Sequence, residues 1–259
     1  MQIKRRELLA MLATGLAGCQ PGEAPDARRQ TPDELTTAAS TTVSTLPPVV
    51  TTTQPAPTTT VPVRVIEVIE RAGWGAAAAG AGMEEHVVER LTIHHTGVAL
   101  EDNREAPARL RAHQVFHQTD RGWPDLAYHF AIDRNGNIYE GRGPEFRGDT
   151  ATSYDPTGHF LVVLEGNFDV EPTAEAQLGS LRRLLAWAVG RYSVGAGTIQ
   201  SHRDYAPGET SCPGDNLYPL VESGELARAV GSLVTEEVIE LIYLRGEEAV
   251  ARVSEIEAP

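Results

Sequence analysis

The chain of 259 residues is short of cysteine, of basic side chains and of long apolar runs, and each shortage closes off a class of function. Its two cysteines, Cys19 and Cys212, are too few for a disulfide-stapled scaffold. Each sits in a motif of its own, so no disulfide is expected between them. Lys and Arg number 22 against 36 Asp and Glu, a formal net charge of −14, so long-range repulsion argues against nucleic acid and anionic lipid headgroups as partners. Acidity of this size otherwise means little more than solubility. No apolar run approaches the roughly 20 residues that a membrane-crossing helix needs.

What is present begins with an address. Lys4, Arg5 and Arg6 form a cationic head, and Leu8 to Ala17 form an apolar core about half as long as a bilayer is thick. Residues 1–18 therefore read as a signal peptide. The paired arginines before Leu8 and Leu9 resemble a twin-arginine signal, although Leu8 stands where an aromatic is common; the general secretory route is the alternative. Leu16-Ala17-Gly18-Cys19 resembles a bacterial lipobox, which implies cleavage before Cys19 and its lipidation. A buried cysteine in a small helix is the competing reading, but head, core and small residues fall in lipobox order. Membrane attachment through Cys19, on the outer face of the cytoplasmic membrane or on the outer membrane, is the expectation.

Residues 19–62 are rich in Thr, Pro, Ala and Val, with neither strand nor helix periodicity. Such a segment cannot bury enough apolar surface to offset its ordering entropy, so it reads as a linker. As a flexible coil it would reach roughly 35 Å, and as polyproline II at most about 130 Å.

From Val63 onward short strands and helices alternate. Arg90 to His95 reads as a strand, and Pro107 to about Thr119 as a helix with proline in its first turn. Ala127–Asp133 and Asn137–Glu140 read as strands around an Asn135-Gly136 turn. His159–Leu164 is nearly all apolar and so should be a central strand. Thr173 is a plausible N-cap for a helix to Arg191, with Leu178, Leu181, Leu184, Leu185 and Ala188 at helical spacing. Ile199–His202 reads as a last strand. The expectation is an α/β domain over 63–220, one mixed sheet flanked by helices, followed by a helical extension over 221–259.

Three segments carry the chemistry. In Leu91-Thr92-Ile93-His94-His95, period-two alternation puts His95 with Leu91 and Ile93 on the core face, and His94 with Thr92 on the other. The segment 125–142 holds Tyr128 and Arg142, and the segment 201–214 holds His202 and Cys212. Two imidazoles and a thiolate suit Zn²⁺, and three protein ligands leave a fourth position for water. A zinc ion so held lowers that water's pKa and polarises a carbonyl. The spacing alone leaves open the ordinary alternative that these histidines are satisfied polar residues.

The runs RAGWGA (71–76), LTIHHTG (91–97), GWPDLAYHFAIDRNGNIYEGRG (122–143), LVVLEGNFD (161–169) and HRDYAPGETSCPGDNLY (202–218) together resemble the N-acetylmuramoyl-L-alanine amidase family. That family includes the phage lysozymes of amidase type and the peptidoglycan recognition proteins. The resemblance spans about residues 66–220. It implies His94, His202 and Cys212 as zinc ligands, and Tyr128 as a tyrosine whose hydroxyl can bond an oxyanion. Thr210 matches a position that is lysine in some phage enzymes and threonine in many recognition-type amidases, and so is a second catalytic candidate. His95, Trp123 and Arg142 are candidates for contact with substrate, His95 more as a core residue, and His117 for packing. Relatives often carry a Gly-x-His-Thr segment after Arg142. Here Asp149 stands in that histidine's place, with His159 as a partial substitute, which puts stem-peptide selectivity in doubt.

The resemblance implies a monomeric amidase that frees stem peptide from the glycan of peptidoglycan. The alternatives are a binding module of the same fold that does not cut, and an amidase confined to soluble muropeptides.

Overall fold

Strand β2 (Arg90–His95) runs parallel to β5 (His159–Leu164) on one side and to β6 (Ile199–Ser201) on the other, and this trio carries the chemistry. The computed structural model describes residues 61–259; the expected leader, Cys19 and the linker up to residue 60 lie outside the described residues. Four further strands, β1 (Val63–Ile69), β3 (Phe130–Ile132), β4 (Ile138–Glu140) and β7 (Val238–Leu244), complete a mixed sheet of order β6-β2-β5-β3-β4-β1-β7. The β3–β4 pair is antiparallel, so the sheet reverses direction there. Gly136 makes that turn with φ of 86°, a conformation that an L side chain rarely adopts.

Strand β5 is buried along its whole length, as its continuous apolar run requires of an inner strand. Phe160, Val162 and Leu164 point to one face, where α2 (Glu175–Tyr192) and α5 (Glu225–Glu236) cover them with Leu181, Leu184, Leu185 and Val230. Each such side chain contributes about 1.5–3 kcal/mol of transfer free energy when fully buried. On the other face α1 (Ala106–Thr119) and α6 (Gly246–Glu257) pack Leu110, Ala249 and Val253 against Ile69, Trp74 and Val163.

The structure corrects several boundaries. The extension after residue 220 is not simply helical: beyond α4 (Tyr218–Glu222) and α5 it contains β7, which pairs in parallel with β1 from Val63 to Ile69. Its apolar residues fit a strand because they alternate: Val238, Glu240 and Ile242 face out while Ile239, Leu241 and Tyr243 pack inward. β1 needs that partner, since β4 meets it only at Val68 and Ile69. Strand β3 is shorter than expected, running from Phe130 to Ile132, although the carbonyls of His129 and Tyr128 still accept from Gly141 and Arg142 of the returning chain. Helix α2 starts at Glu175, with Ala174 and not Thr173 at its N-cap. The strand expected to end at His202 ends at Ser201, and His202 opens the short helix α3 (His202–Tyr205).

Candidate metal centre and active site

The site forms at the C-terminal ends of the parallel strands, where open α/β sheets commonly place ligands. His94 leaves β2 on the face opposite Leu91 and Ile93, which belong to the α2-side core. In register, Ile93 stands opposite Ser201 of β6, so His94 and the next residue, His202, emerge side by side with ring centroids 4.8 Å apart. Ser201 and Asp204 form a reciprocal capping box that anchors α3, and Tyr218 donates to Asp204 at 3.0 Å.

Cys212 arrives on the loop after α3. Its N–H donates to the Thr210 hydroxyl at 3.0 Å, and its carbonyl accepts from Arg203 N–H at 2.8 Å. Gly214 has φ of 93°, and a Cβ there would lie 2.7 Å from Asp169 N, so only glycine lets this loop lie against Phe168 and Asp169. The Cys212 sulfur then sits 3.7 Å from His94 Nδ1 and accepts the His95 N–H at 3.3 Å.

One ligand atom from each of His94, His202 and Cys212 lies within 4.8 Å of the others. Two ligands of one tetrahedral zinc, with bonds near 2.05 and 2.3 Å, stand about 3.6 Å apart, close to the His94–Cys212 spacing. The donors suit a cation in other ways. Among the described residues, Nε2 of His94 is buried without a hydrogen-bond partner. Burial pushes His94 well below the usual imidazole range and His202 down to about 4, so both rings are neutral and offer lone pairs. Burial pushes the Cys212 thiol up to about 12, and only a cation beside it would make it a thiolate at neutral pH.

Two hydroxyls hold His202 from behind. Thr152 Oγ1 lies 2.7 Å and Thr150 Oγ1 3.3 Å from Nε2, which leaves Nδ1 as the ligand atom if Nε2 carries the proton. The strap bearing them is tied down by Ser153 N–H donating to Glu209 at 2.9 Å. Sequence reasoning missed both threonines, because a Thr-rich turn carries no periodicity and its target is 50 residues away.

A cleft of about 200 Å³ opens over His94 and His202, walled by Tyr128, His117, Trp123 and Asp149. Tyr128 packs 5.2 Å from the His94 ring, and burial raises its phenol, which stays protonated. His117 accepts the Ala127 N–H at Nδ1 and tilts against Trp123 at 4.8 Å, so this residue expected for packing also lines the cleft.

Other candidates fall elsewhere. Arg142 is 1% exposed, its guanidinium donating to the carbonyls of Leu126, Asp125 and Arg147 and to Asp149; it is an internal strut and does not line the groove. Asp149 neutralises it. His95 is buried beside Phe168, accepting the Phe168 N–H at 3.2 Å, and does not line the cleft. The Thr210 hydroxyl accepts the Cys212 N–H and so shapes that turn, while its own proton is still able to donate. His159 is buried against Thr92 at 2.8 Å, away from the cleft, and substitutes for nothing there.

A family model described as N-acetylmuramoyl-L-alanine amidase matches residues 84–215. Peptidoglycan-recognition protein SC2 of Drosophila melanogaster is 31% identical over 156 residues, covering 59% of this chain and 83% of that protein. The N-acetylmuramoyl-L-alanine amidase of Sus scrofa is 34% identical over 142 residues, 51% of this chain and 23% of the pig protein. Among solved structures, Drosophila recognition protein LB in complex with tracheal cytotoxin superposes with a TM-score of 0.54 at 26% identity, covering 60% of this chain and 93% of that one. A matching family model over half the chain, the same sheet-and-helix fold and a His-His-Cys cluster at its strand ends together make this chain a member of the N-acetylmuramoyl-L-alanine amidase family.

Proposed function

We propose that the chain is an exported, zinc-dependent amidase that hydrolyses the amide between N-acetylmuramic acid and L-alanine in peptidoglycan. The observation that carries this reading is the convergence of two neutral imidazoles and one buried sulfur on the wall of an open cleft. His94, His202 and Cys212 would hold the zinc ion, which would supply Lewis acidity to the scissile carbonyl and to a water. The protonated Tyr128 hydroxyl donates a hydrogen bond to the oxygen that gains charge as the carbonyl is attacked. Thr152 and Thr150 hold the His202 ring, and the His95 N–H steadies the sulfur. Trp123 and His117 give the glycan or peptide an aromatic wall. Asp149, paired with the buried Arg142 behind it, walls the far side. The lipobox-like Leu16–Cys19 supports lipid anchoring at Cys19, and the Thr/Pro-rich stretch supports a tether from which the catalytic domain reaches its polymer. The chain is read as a monomer.

Recognition without cleavage is the second reading, favoured by the recognition proteins among its relatives and by the muropeptide that one of them binds. The presence of Cys212 beside both histidines favours cleavage. The test is digestion of purified sacculi with and without chelator, followed by mass analysis of what is released. Intact stem peptides that vanish on chelation and return with Zn²⁺ are the expected result. Binding without release would leave a recognition module, and cleavage of soluble muropeptides alone would restrict the substrate.

A further inference from the structure

The sheet ends on two unlike edges. Strand β6 closes one with three residues. Strand β7 closes the other with seven, Val-Ile-Glu-Leu-Ile-Tyr-Leu, without proline or lysine. Natural sheets commonly blunt a long edge with such residues, because its unpaired N–H and C=O groups are a template for another strand. The side of β7 that faces β1 is occupied: Val238 N–H donates to the Pro62 carbonyl, and the Leu244 carbonyl accepts from Glu70 N–H. In a parallel ladder, residues that bond one neighbour alternate with residues turned away from it. The backbone of Val238, Glu240, Ile242 and Leu244 thus serves β1, and that of Ile239, Leu241 and Tyr243 is directed to the open edge. Among the described residues, nothing beyond the β1 ladder bonds the backbone of those three.

A strand pairs with its own copy only where its sequence suits itself in reverse, since the contact is self-complementary. Reversed about Leu241, β7 sets Leu241 against Leu241 of a second copy and Ile239 against that copy's Tyr243. These are the residues whose backbone groups lie open. Residues directly opposite share a sheet face. Ile239, Leu241 and Tyr243 pack toward the α2-side core. The second copy's Tyr243 therefore comes beside Ile239, which walls a cavity of about 310 Å³ with Trp187, Val234 and Glu237. On the other face Val238 and Ile242 join Val63 and Val65 of β1 in an exposed apolar strip, which the pairing would extend across the axis. Just beyond the strand ends, the same register sets Arg245 against Glu237 of the second copy. The Arg245 side chain is 72% exposed, with Glu70 3.7 Å away. Glu237 meets only Arg64, at 3.5 Å through Oε1, and its Oε2 has no hydrogen-bond partner among the described residues. Complementary charges at both ends work against the general repulsion between two acidic chains. Glu240, the one charge within β7, meets Ile242 of the second copy and stands diagonal to the other Glu240 at about 7–8 Å, which holds the affinity down.

We propose that β7 is the interface of a two-fold dimer of this chain, in which its open edge pairs antiparallel with that of a second copy about Leu241. The seven-stranded sheet then runs on across the axis. The metal cluster stands by β2 and β6, at the other end of the strand order, so each copy keeps a complete site. The monomer of the functional reading is then the catalytic unit of a pair, and the pairing does not depend on that reading.

The test uses the full chain. Sedimentation velocity should show monomer giving way to dimer with a Kd on the order of 10 µM, as suits a small contact. Hydrogen exchange should find the amides of Ile239, Leu241 and Tyr243 fast in dilute protein and slow in concentrated protein. Those of Glu240 and Ile242, already bonded to β1, should not change. Arg245→Glu should weaken the dimer about tenfold, because a two-fold axis applies the change twice, and Glu237→Arg should do the same. The two substitutions together should restore the parental affinity. A monomer at every concentration, a dimer whose three edge amides stay unprotected, or charge reversals that neither weaken nor rescue the pair would each overturn the proposal. Full protection in the dilute monomer would do so too, since the edge would then be covered within one chain. Exchange in the parental chain decides the matter even where a variant fails to fold.

Discussion

The hydroxyl of Thr152 lies 2.7 Å from Nε2 of His202, which leaves Nδ1 free for a metal. Hydrogen bonds of this kind, made to the ring from behind, fix the tautomer and orientation of a metal-ligating imidazole, and their loss costs about 10–100-fold in metal affinity. Thr152→Val should therefore weaken zinc binding by that factor with little change in Tm of the metal-free protein, and Thr152→Ser should bind as the parent does. Competition with a chromogenic chelator measures it. Parental affinity in the valine variant would show that the strap does not orient the ring.

Cys212→Ala removes one of three candidate ligands from a cluster whose remaining members are neutral imidazoles. Turnover on sacculi should disappear, while the far-ultraviolet circular dichroism stays that of the parent, since the fold is secured by the two cores flanking the sheet. Activity near the parental level would take the sulfur out of the mechanism.

Tyr128→Phe keeps the ring that packs on His94 and His117 and deletes only the hydroxyl. An oxyanion donor acts chiefly in the transition state, so kcat should drop by about 10²–10³ with KM nearly constant. A variant that instead raises KM alone would assign Tyr128 to substrate binding.

Acid should destabilise the metal-free domain. Burial holds His129 down to about 3 and His159 to about 4, both from an ordinary 6.5. Each stays neutral in the fold, so below pH 6.5 the unfolded chain binds more protons than the folded one. Their contribution is thus complete above pH 6.5 and is lost as pH falls toward 4 and then 3. Urea midpoints measured from pH 7.5 to 4 should decline steadily below about 6.5, and a Leu161 N–H no longer bonded to His129 Nδ1 should exchange faster. A flat profile would mean that these rings ionise without strain.

Deleting residues 238–259 removes β7, which pairs with β1 along all seven of its residues, and strips Leu244, Ala249 and Val253 from the α1-side core. The truncated protein should lose at least ~10 °C in Tm or be recovered only as aggregate. Parental Tm would show that the extension is dispensable to the domain.

Much of this was legible in local patterns. Alternation along Leu91–His95 separated the two adjacent histidines before any coordinates, because a strand sends successive side chains to opposite faces. The unbroken apolar run His159–Leu164 announced an inner strand, and Asn135-Gly136 announced the turn that reverses the sheet. The motifs in 91–97 and 202–218 carried the family and, through it, the three candidate ligands. The Val238–Leu244 segment was harder, since a short apolar run fits a helix or a strand until one knows that β1 has an open edge waiting for it.

Local sequence, then, decided which residues would be turned inward or outward and which donors were chemically suited to a metal, since those properties depend on side-chain type and on spacing of one or two turns. It could not decide which of them meet. Arg142 became a strut and not a groove residue because Asp149 and three carbonyls surround it, and Thr152 acquired a role because the strap crosses behind His202. Those outcomes depend on distances between segments tens of residues apart, and only the packing of helices on the sheet sets them.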